Sequence, residues 1–181
     1  MIEEIEMGIQ QATMGYALMN VMDDCDLNRG PKTIAQAINI RTIDNAYLKS
    51  FAANTKKQGL RNCTSEHAIL IGVKRSFIDH TSLRPIQLNA YDNHVKWTDE
   101  GKSDDATMLL YNGNHRRSYM RDYSSAITPY MQYIKGQSDI ESKDITEDAK
   151  EMMKVALKEA KKQVIEHGCW LVRFLDIGKL K

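Results

Sequence analysis

The sequence lacks a long apolar run and lacks a strong excess of charge of either sign. Its 181 residues carry 25 Lys and Arg against 24 Asp and Glu, a formal net charge of +1. The longest apolar run lies near residues 68–73 and is far shorter than the ~20 residues that a membrane-spanning helix needs. We therefore expect no membrane association, and the charge balance argues against a histone-like, polybasic nucleic-acid-binding protein.

Cysteine is also scarce. The chain has 3 cysteines, at positions 25, 63 and 169. No C-x-x-C pair occurs, which argues against a zinc knuckle or a dithiol redox motif. The histidines show neither an i,i+4 pair nor an adjacent cysteine, so we expect no metal site. The odd, sparse cysteine count and the acidic N-terminus favour an intracellular protein, cytoplasmic or nuclear.

The remaining composition supports a folded domain, since 42% of the residues are hydrophobic. The mixture of short apolar runs and amphipathic stretches predicts an α+β fold with a small mixed sheet, packed helices and a long C-terminal helix. We expect three segments: an N-terminal segment at 1–30 with helical character over 6–22, a main domain at 31–135, and a C-terminal helix and strand at 144–181. The end of the chain soon after a predicted strand is consistent with a fragment of a longer protein.

Local signals place the helices. Asp44 is expected to cap a helix that Gly59 follows, and Thr146 or Asp144 to cap a final helix that Gly168 ends. In the final helix, apolar side chains recur at spacings of three and four residues. A middle helix is expected to start near residue 114 and end before Pro129, with a short turn at 130–135 and a polar linker to about 143. The helix that Asp44 caps is expected over 45–58, and the final helix is expected over 148–167.

Apolar runs place the strands. Buried strands are expected at 68–73, 107–111 and 170–175. Residues 84–88 are expected to form an edge strand because Pro85 cannot donate to a central ladder. The polar stretch 89–106 is expected to be an exposed loop or insertion.

The candidate binding residues are concentrated in residues 111–117, Tyr-Asn-Gly-Asn-His-Arg-Arg. The pattern predicts a strand that runs into an Asn-Gly turn and then directly into a helix with Asn114 as its N-cap. Exposed N–H groups at a helix start favour an anion, and Gly113 permits both a sharp turn and close approach of a ligand. His115, Arg116 and Arg117 would lie in the first turn, where cations oppose the helix dipole unless a bound phosphate reverses the sign.

An ordinary structural interpretation stays open on the residues alone. In it the helix starts one turn later, and the two arginines are surface residues without a ligand. Tyrosines cluster around the same segment, and one of them could stack on a nucleobase, although tyrosines at such spacing more often pack in a core. The clustered tyrosines are Tyr111, Tyr119, Tyr123, Tyr130 and Tyr133.

The pattern of a strand, Gly-x-[His/Arg]-Arg and a helix resembles the phosphate-binding box of the ParB/sulfiredoxin superfamily. ParB proteins carry Gly-Glu-Arg-Arg there and sulfiredoxins carry Gly-Cys-His-Arg, whereas this chain has Gly-Asn-His-Arg at 113–116. Upstream, an extended segment containing Arg41 precedes a helix that ends in Gly59-Leu60, as in ParB-like domains. The resemblance spans about residues 38–126. This chain lacks the proline that usually follows the Gly-Leu pair in the family, and no recognisable ParB-type helix-turn-helix follows the box.

The resemblance implies a nucleotide- or phosphate-binding domain. The expected ligand is ATP or CTP with Mg²⁺, the ion being held largely by the phosphates. By position, Gly113, Asn114, His115 and Arg116 would contact the phosphates. Arg117 is added as a candidate from its place in the first turn, and Arg41 is a weaker candidate at a position where the family often has an arginine. Asp104 and Asp105 could assist a metal ion but are expected to be solvated.

Nucleotide hydrolysis or phosphoryl transfer stays open as an activity, and no catalytic residue is assigned. Asn114 replaces the nucleophilic cysteine of sulfiredoxins, and this argues against sulfinic-acid reduction because an amide cannot replace a thiolate. Two other functions stay open. One is a DNA-associated module whose basic turn contacts backbone phosphate, and the other is a non-catalytic interaction domain that uses helix 148–167. The oligomeric state is not predicted.

Overall fold

The structure is a computed structural model that describes residues 2–22, 30–31, 33–36, 42–87, 89–141 and 145–180. These residues form five α-helices and a five-stranded mixed sheet, so the expected α+β architecture is confirmed. The helices are α1 (Ile2–Ala12), α2 (Asn45–Gln58), α3 (Asn114–Tyr123), α4 (Ile127–Ile140) and α5 (Glu147–His167). The strands are β1 (Thr13–Asn20), β2 (Thr33–Gln36), β3 (Ile69–Val73), β4 (Thr107–Leu110) and β5 (Cys169–Asp176).

The strand order in the sheet is β1-β5-β3-β4-β2. The β1/β5 and β3/β4 pairs are antiparallel, whereas β5/β3 and β4/β2 are parallel. The strands of the two terminal segments pair with each other, and β5 also pairs with β3. The terminal segments therefore contribute to the same sheet as residues 31–135.

The core is built around β5. Seven of its eight residues are buried, and only Arg173 is partly exposed. A near-continuous apolar run is the pattern of a strand that is covered on both faces. Its large, fully buried side chains include Trp170 and Phe174, and the neighbouring strand β3 contributes Ile69 and Ile71. Because β3 and β4 are anchored on this core, the turn that follows β4 has a rigid support.

Helix α2 has the ends that the sequence predicts. The Asp44 carboxylate accepts hydrogen bonds from the backbone N–H groups of Ala46 and Tyr47, at 2.9 and 3.2 Å. At the other end, Gly59 has φ +84° and its N–H donates to the Thr55 carbonyl at 2.9 Å. These contacts satisfy backbone groups that a helix leaves without partners, so both ends of α2 are well defined.

The final helix is also confirmed. Thr146 accepts a hydrogen bond from the N–H of Ala149, and Gly168 follows the last residue. Asp144, the alternative cap, lies outside the described residues. Gly136 of α4 allows a close crossing, because a β-carbon there would lie 2.7 Å from Leu157 of α5. Helices α4 and α5 therefore pack closely against each other.

Two expectations near the edge strand β1 are wrong. The helix expected over 6–22 ends at Ala12, and β1 follows at once. The expected strand at 84–88 is only a single bridge, in which Arg84 and Tyr16 exchange backbone hydrogen bonds of 2.8 and 2.9 Å. Pro85 has no N–H with which to extend that ladder. Leu88 lies outside the described residues.

The middle helix also differs from the expectation. It is interrupted at Ser124, whose hydroxyl accepts from the Ala126 N–H and donates to the Met120 carbonyl. Pro129 lies in the first turn of α4 rather than after a helix, a position where a missing N–H costs little. Helix α4 then occupies the region expected to hold a short turn and a linker.

The stretch 89–106 forms no regular helix or strand, as expected, although Tyr91 and Trp97 within it are buried. Within the described ranges, no helix combines the length and the apolar character needed to cross a membrane.

Candidate functional site

The candidate site is built at the junction between β4 and α3. The Tyr111 N–H donates to the Leu70 carbonyl at 3.0 Å, which prolongs the pairing of β3 and β4 by one residue. The Asn112 Oδ1 then accepts from the Leu70 N–H at 2.8 Å. Gly113 follows with φ +95°, and α3 starts at the next residue. The chain therefore turns sharply while it stays bonded to the sheet.

Gly113 is required here for two reasons. Its left-handed conformation is strained for any residue with a β-carbon. In addition, a β-carbon would lie 2.6 Å from Cγ1 of the buried Ile69. The position thus excludes a side chain both by its dihedral angle and by its closeness to the core.

The start of α3 is where the sequence predicts it, but the cap is different. Gly113 is the N-cap, and its carbonyl accepts from the Arg117 N–H at 3.0 Å. The expectation that Asn114 is the N-cap is wrong, because Asn114 is already helical and buried. His115, Arg116 and Arg117 do lie in the first turn, as expected. The bare glycine cap supplies no side-chain oxygen to the N–H groups of that turn.

A cavity of about 840 Å³ opens beside this junction. One wall is a face of α2, and a second is the turn at 59–61 that follows it. The third is the stretch 111–116, and His67 and Trp170 complete the lining. The two helices that contribute walls also contact each other directly, because Phe51 and Tyr119 pack edge to face with ring centroids 5.1 Å apart.

Aromatic rings line much of this cavity. Tyr47 and Phe51 of α2 are nearly parallel, with centroids 6.4 Å apart and an interplanar angle of 18°. Phe51 also lies 6.4 Å from Trp170, whose indole N–H donates to the His67 carbonyl at 2.7 Å. Tyr47 is 55% exposed, so its ring has free surface for a ligand. These rings offer faces on which a flat group can stack.

Arg116 is the main cationic group of the cavity. Its side chain is partly buried, and Nη1 donates to the Ala68 carbonyl at 3.3 Å. Burial lowers the pKa of its guanidinium group. Among the residues that the structure describes, no carboxylate forms an ion pair with Arg116. The exposed Arg61, in the turn after α2, is a second cation that lines the cavity.

His115 connects the two helices that flank the cavity. Its Nε2 atom lies 2.9 Å from the backbone N of Asp44 and accepts a hydrogen bond from that N–H. Its ring also meets the Tyr47 ring edge to face, with centroids 4.9 Å apart. The imidazole is therefore fixed in position by α2 although it belongs to α3.

The structure brings four of the predicted site residues together. Gly113, Asn114, His115 and Arg116 all line the cavity. Arg117 is partly buried and does not line it. The last predicted residue, Arg41, lies outside the described residues.

The acidic residues considered for metal binding are elsewhere. Asp104 and Asp105 precede β4, at the opposite end of that strand from Gly113, and both are exposed. Asp44 is the only carboxylate among the described residues that line the cavity, and it already caps α2. Within the described ranges, no group of three or more His, Cys, Asp or Glu residues is placed to hold a metal ion.

Sequence reasoning missed the contribution of α2. Tyr47 and Phe51 have the helical spacing of core residues, yet both line the cavity, as do Asn54 and Gln58 further along the same face. The missed signal is that polar amides, rather than apolar groups, continue this stripe towards Gly59. A core-facing stripe would remain apolar as far as the end of the helix.

The arrangement suits binding of an anion that carries a flat group. It offers cations and helix N–H groups at one end and aromatic rings on another wall. Among the described lining residues there is no thiol, since Cys63 and Cys169 lie elsewhere. Searches against protein-family models, curated proteins and solved structures found no match to this chain.

Proposed function

We propose that this chain is a nucleotide-binding domain of the ParB/sulfiredoxin type and that the cavity between α2 and α3 holds a nucleoside triphosphate, ATP or CTP. The observation that carries the proposal is the partly buried Arg116 guanidinium, which has no carboxylate partner among the described residues and faces a cavity at a helix N-terminus. A buried cation without an anion is unfavourable by itself. A bound phosphate would supply the missing negative charge.

The first turn of α3 supports the same ligand. N–H groups at the start of a helix have no intrahelical partner and point outward. Together with the positive end of the helix dipole they favour phosphate. Because Arg116 and His115 project from this turn, the backbone and the side chains act on the same anion.

Size and shape favour a small molecule over a nucleic-acid duplex. The cavity volume, about 840 Å³, lies within the range of about 300–1,000 Å³ that is typical of small-molecule sites. The rings of Tyr47 and Phe51 give a stacking surface for a base, and the amides of Asn54 and Gln58 can bond to its polar edge or to ribose. A duplex backbone needs a wide basic surface instead.

The family resemblance supports the proposal through geometry. The resemblance was identified from two sequence features, the Gly59-Leu60 pair and the box at 113–116. These features are far apart in the sequence but line one cavity. Asn114 occupies the position of the sulfiredoxin nucleophile, so we propose nucleotide binding without sulfinic-acid reduction. A bound Mg²⁺ would be held mainly by the phosphates, because the described part of the cavity supplies only the Asp44 carboxylate.

A nucleotide panel followed by thermal denaturation tests the proposal. ATP, CTP, GTP and UTP are each added at millimolar concentration with and without Mg²⁺. A ligand present at 100 times its dissociation constant stabilises the folded state by about 2.7 kcal/mol. We expect ATP or CTP to raise the melting temperature, and no shift with any nucleotide would contradict the proposal.

Arg116→Ala is the matching variant, and Arg121→Ala is its control. Arg121 lies on the same helix, does not line the cavity, and is bonded to Asp122 at 2.8 Å. We expect the first variant to lose at least tenfold in affinity, equal to about 1.4 kcal/mol, while the control keeps wild-type affinity. Equal effects of the two variants would show that Arg116 does not contact the ligand.

A short duplex DNA at low and high salt completes the panel. Contacts with backbone phosphates would give binding that weakens steeply as salt increases. If the duplex binds, and added nucleotide neither binds nor competes, the DNA-associated function replaces the nucleotide-binding one.

A further inference from the structure

The further inference concerns which of the two ring nitrogens of His115 carries the proton. The residue lies in the first turn of α3, while its hydrogen-bond partner Asp44 is the N-cap of α2. One imidazole ring therefore links the N-terminal ends of two helices. Its Nε2 atom is 2.9 Å from the backbone N of Asp44, a normal length for a hydrogen bond.

This hydrogen bond determines which ring nitrogen carries the proton. A backbone N–H can only donate, so Nε2 of His115 must accept and carries no proton. The proton of the neutral ring is therefore on Nδ1.

The remaining ring nitrogen is available to a ligand. His115 lines the cavity, and Nδ1 has no hydrogen-bond partner among the described residues. A donor without a partner at the start of a helix, beside the Arg116 guanidinium, is suited to an anionic oxygen. The hydrogen bond would be charge-assisted, because its acceptor is ionised.

We propose that the His115 ring has a fixed tautomer, in which Nε2 accepts from the Asp44 N–H and Nδ1–H is presented to a phosphate oxygen. The part that concerns the ligand rests on the proposed nucleotide site. The part that concerns the tautomer rests on the Asp44–His115 hydrogen bond alone.

The ring shares the cavity with several other polar and aromatic groups. The Asp44 carboxylate accepts from the N–H groups of Ala46 and Tyr47, and the backbone N–H of Asp44 is the group that donates to the ring. Tyr47 packs edge-on against the ring. The cationic side chains Arg61 and Arg116 line the same cavity, as does His67.

The first experiment measures the tautomer directly in the ligand-free protein. Long-range ¹H–¹⁵N correlation spectra distinguish a protonated from an unprotonated ring nitrogen. At a pH where the ring is neutral, we expect Nδ1 to be protonated and Nε2 to be bare. A spectrum with the proton on Nε2, or with rapid exchange between both forms, would overturn the inference whether or not a nucleotide binds.

The second experiment compares His115→Asn with His115→Gln. The Asn amide reaches the region of Nδ1 and keeps a donor there. The Gln amide reaches the region of Nε2 and keeps only an acceptor for the Asp44 N–H. We expect His115→Gln to weaken ATP–Mg²⁺ binding by about tenfold, equal to 1.4 kcal/mol, and His115→Asn to weaken it at least three times less.

Calorimetric titration gives the dissociation constants, and thermal denaturation shows that each variant is folded. His167→Asn is the matched control, because His167 is exposed at the end of α5 and does not line the cavity. Equal losses for Asn and Gln, or a larger loss for Asn, would overturn the donor role at Nδ1. If wild-type protein binds no nucleotide, the proposed function fails, while the tautomer is still decided by the spectra.

Discussion

Asn112 and Leu70 are joined across the end of the sheet, because the Asn112 side-chain oxygen accepts the Leu70 backbone N–H at 2.8 Å. Leu70 belongs to β3 and Asn112 to the turn after β4, so this bond closes the sheet where its strands separate. It also holds the segment that leads to Gly113 against the core. The shape of the candidate site therefore depends on a side chain that contributes no charge.

Replacement of Asn112 tests this relationship. Asn112→Ala removes the acceptor of the Leu70 N–H, and we expect the free energy of unfolding to fall by about 0.5–1.5 kcal/mol. Asn112→Asp keeps an acceptor and should retain more stability, but its charge should weaken binding of a phosphate ligand. Chemical denaturation and nucleotide titration measure the two effects. Equal stability of the two variants would contradict this role.

Gly113→Ala should destabilise the fold at the same turn. A non-glycine residue in a left-handed conformation costs about 1–3 kcal/mol, and the added methyl group would also press on Ile69. Gly8→Ala in α1 is the control, because a β-carbon there meets no atom within 4 Å. Replacing a helical glycine that has open space for a β-carbon by alanine should gain about 0.5–1 kcal/mol. Urea denaturation of both variants gives the comparison, and a neutral Gly113→Ala would contradict the close packing.

Trp170 should report ligand binding by fluorescence. The chain has 2 tryptophans. Trp170 lines the cavity, whereas Trp97 packs edge to face on Phe174, with centroids 5.8 Å apart, and does not line it. We expect ATP or CTP to change the emission of the wild type and of Trp97→Phe, but not that of Trp170→Phe. A signal that disappears in Trp97→Phe instead would place the ligand elsewhere.

Cys169 should make stability depend on pH in the alkaline range. Burial, with a smaller contribution from Cys63, raises the pKa of the Cys169 thiol to about 12, compared with about 8.5 in an unfolded chain. Between these values the unfolded state loses the proton and the folded state keeps it. Stability is thus unaffected below about pH 8.5 and falls above it, by up to about 1.4 kcal/mol per pH unit.

Denaturation curves from pH 7 to pH 10.5 measure this effect. Cys169→Ala should lack this part of the alkaline decline, whereas Cys63→Ala, which keeps the buried Cys169 thiol, should retain it. Parallel declines in wild type and Cys169→Ala would show that Cys169 is accessible to hydroxide in the folded state.

The features that could be predicted from sequence are those determined by neighbouring residues. Asp44 and Gly59 mark the ends of α2 because capping depends on side chains within a few positions of the helix end. The same holds for α5 between Thr146 and Gly168. For the same reason, the sequence predicts the turn at Gly113 and the three side chains that follow it in the first helical turn.

The features that could not be predicted depend on distant partners. Strand β1 contains one glycine and two methionines, a composition that does not favour a strand. It is held by β5, with Thr13 opposite Leu175 and Asn20 opposite Cys169. Similarly, Tyr47 and Phe51 follow the spacing of core residues, and only the placement of α2 opposite α3 makes them walls of a cavity.

The position of β5 in the sheet has a consequence for synthesis on the ribosome. This strand is the last in sequence but lies between β1 and β3. A nascent chain that has emerged only as far as α5 therefore exposes two apolar strands, β1 and β3, whose shared partner β5 has not yet emerged. Unpaired strand edges promote aggregation. Assembly of the sheet must wait until residues 169–176 leave the exit tunnel, and a chaperone that shields these edges would be most useful in that interval.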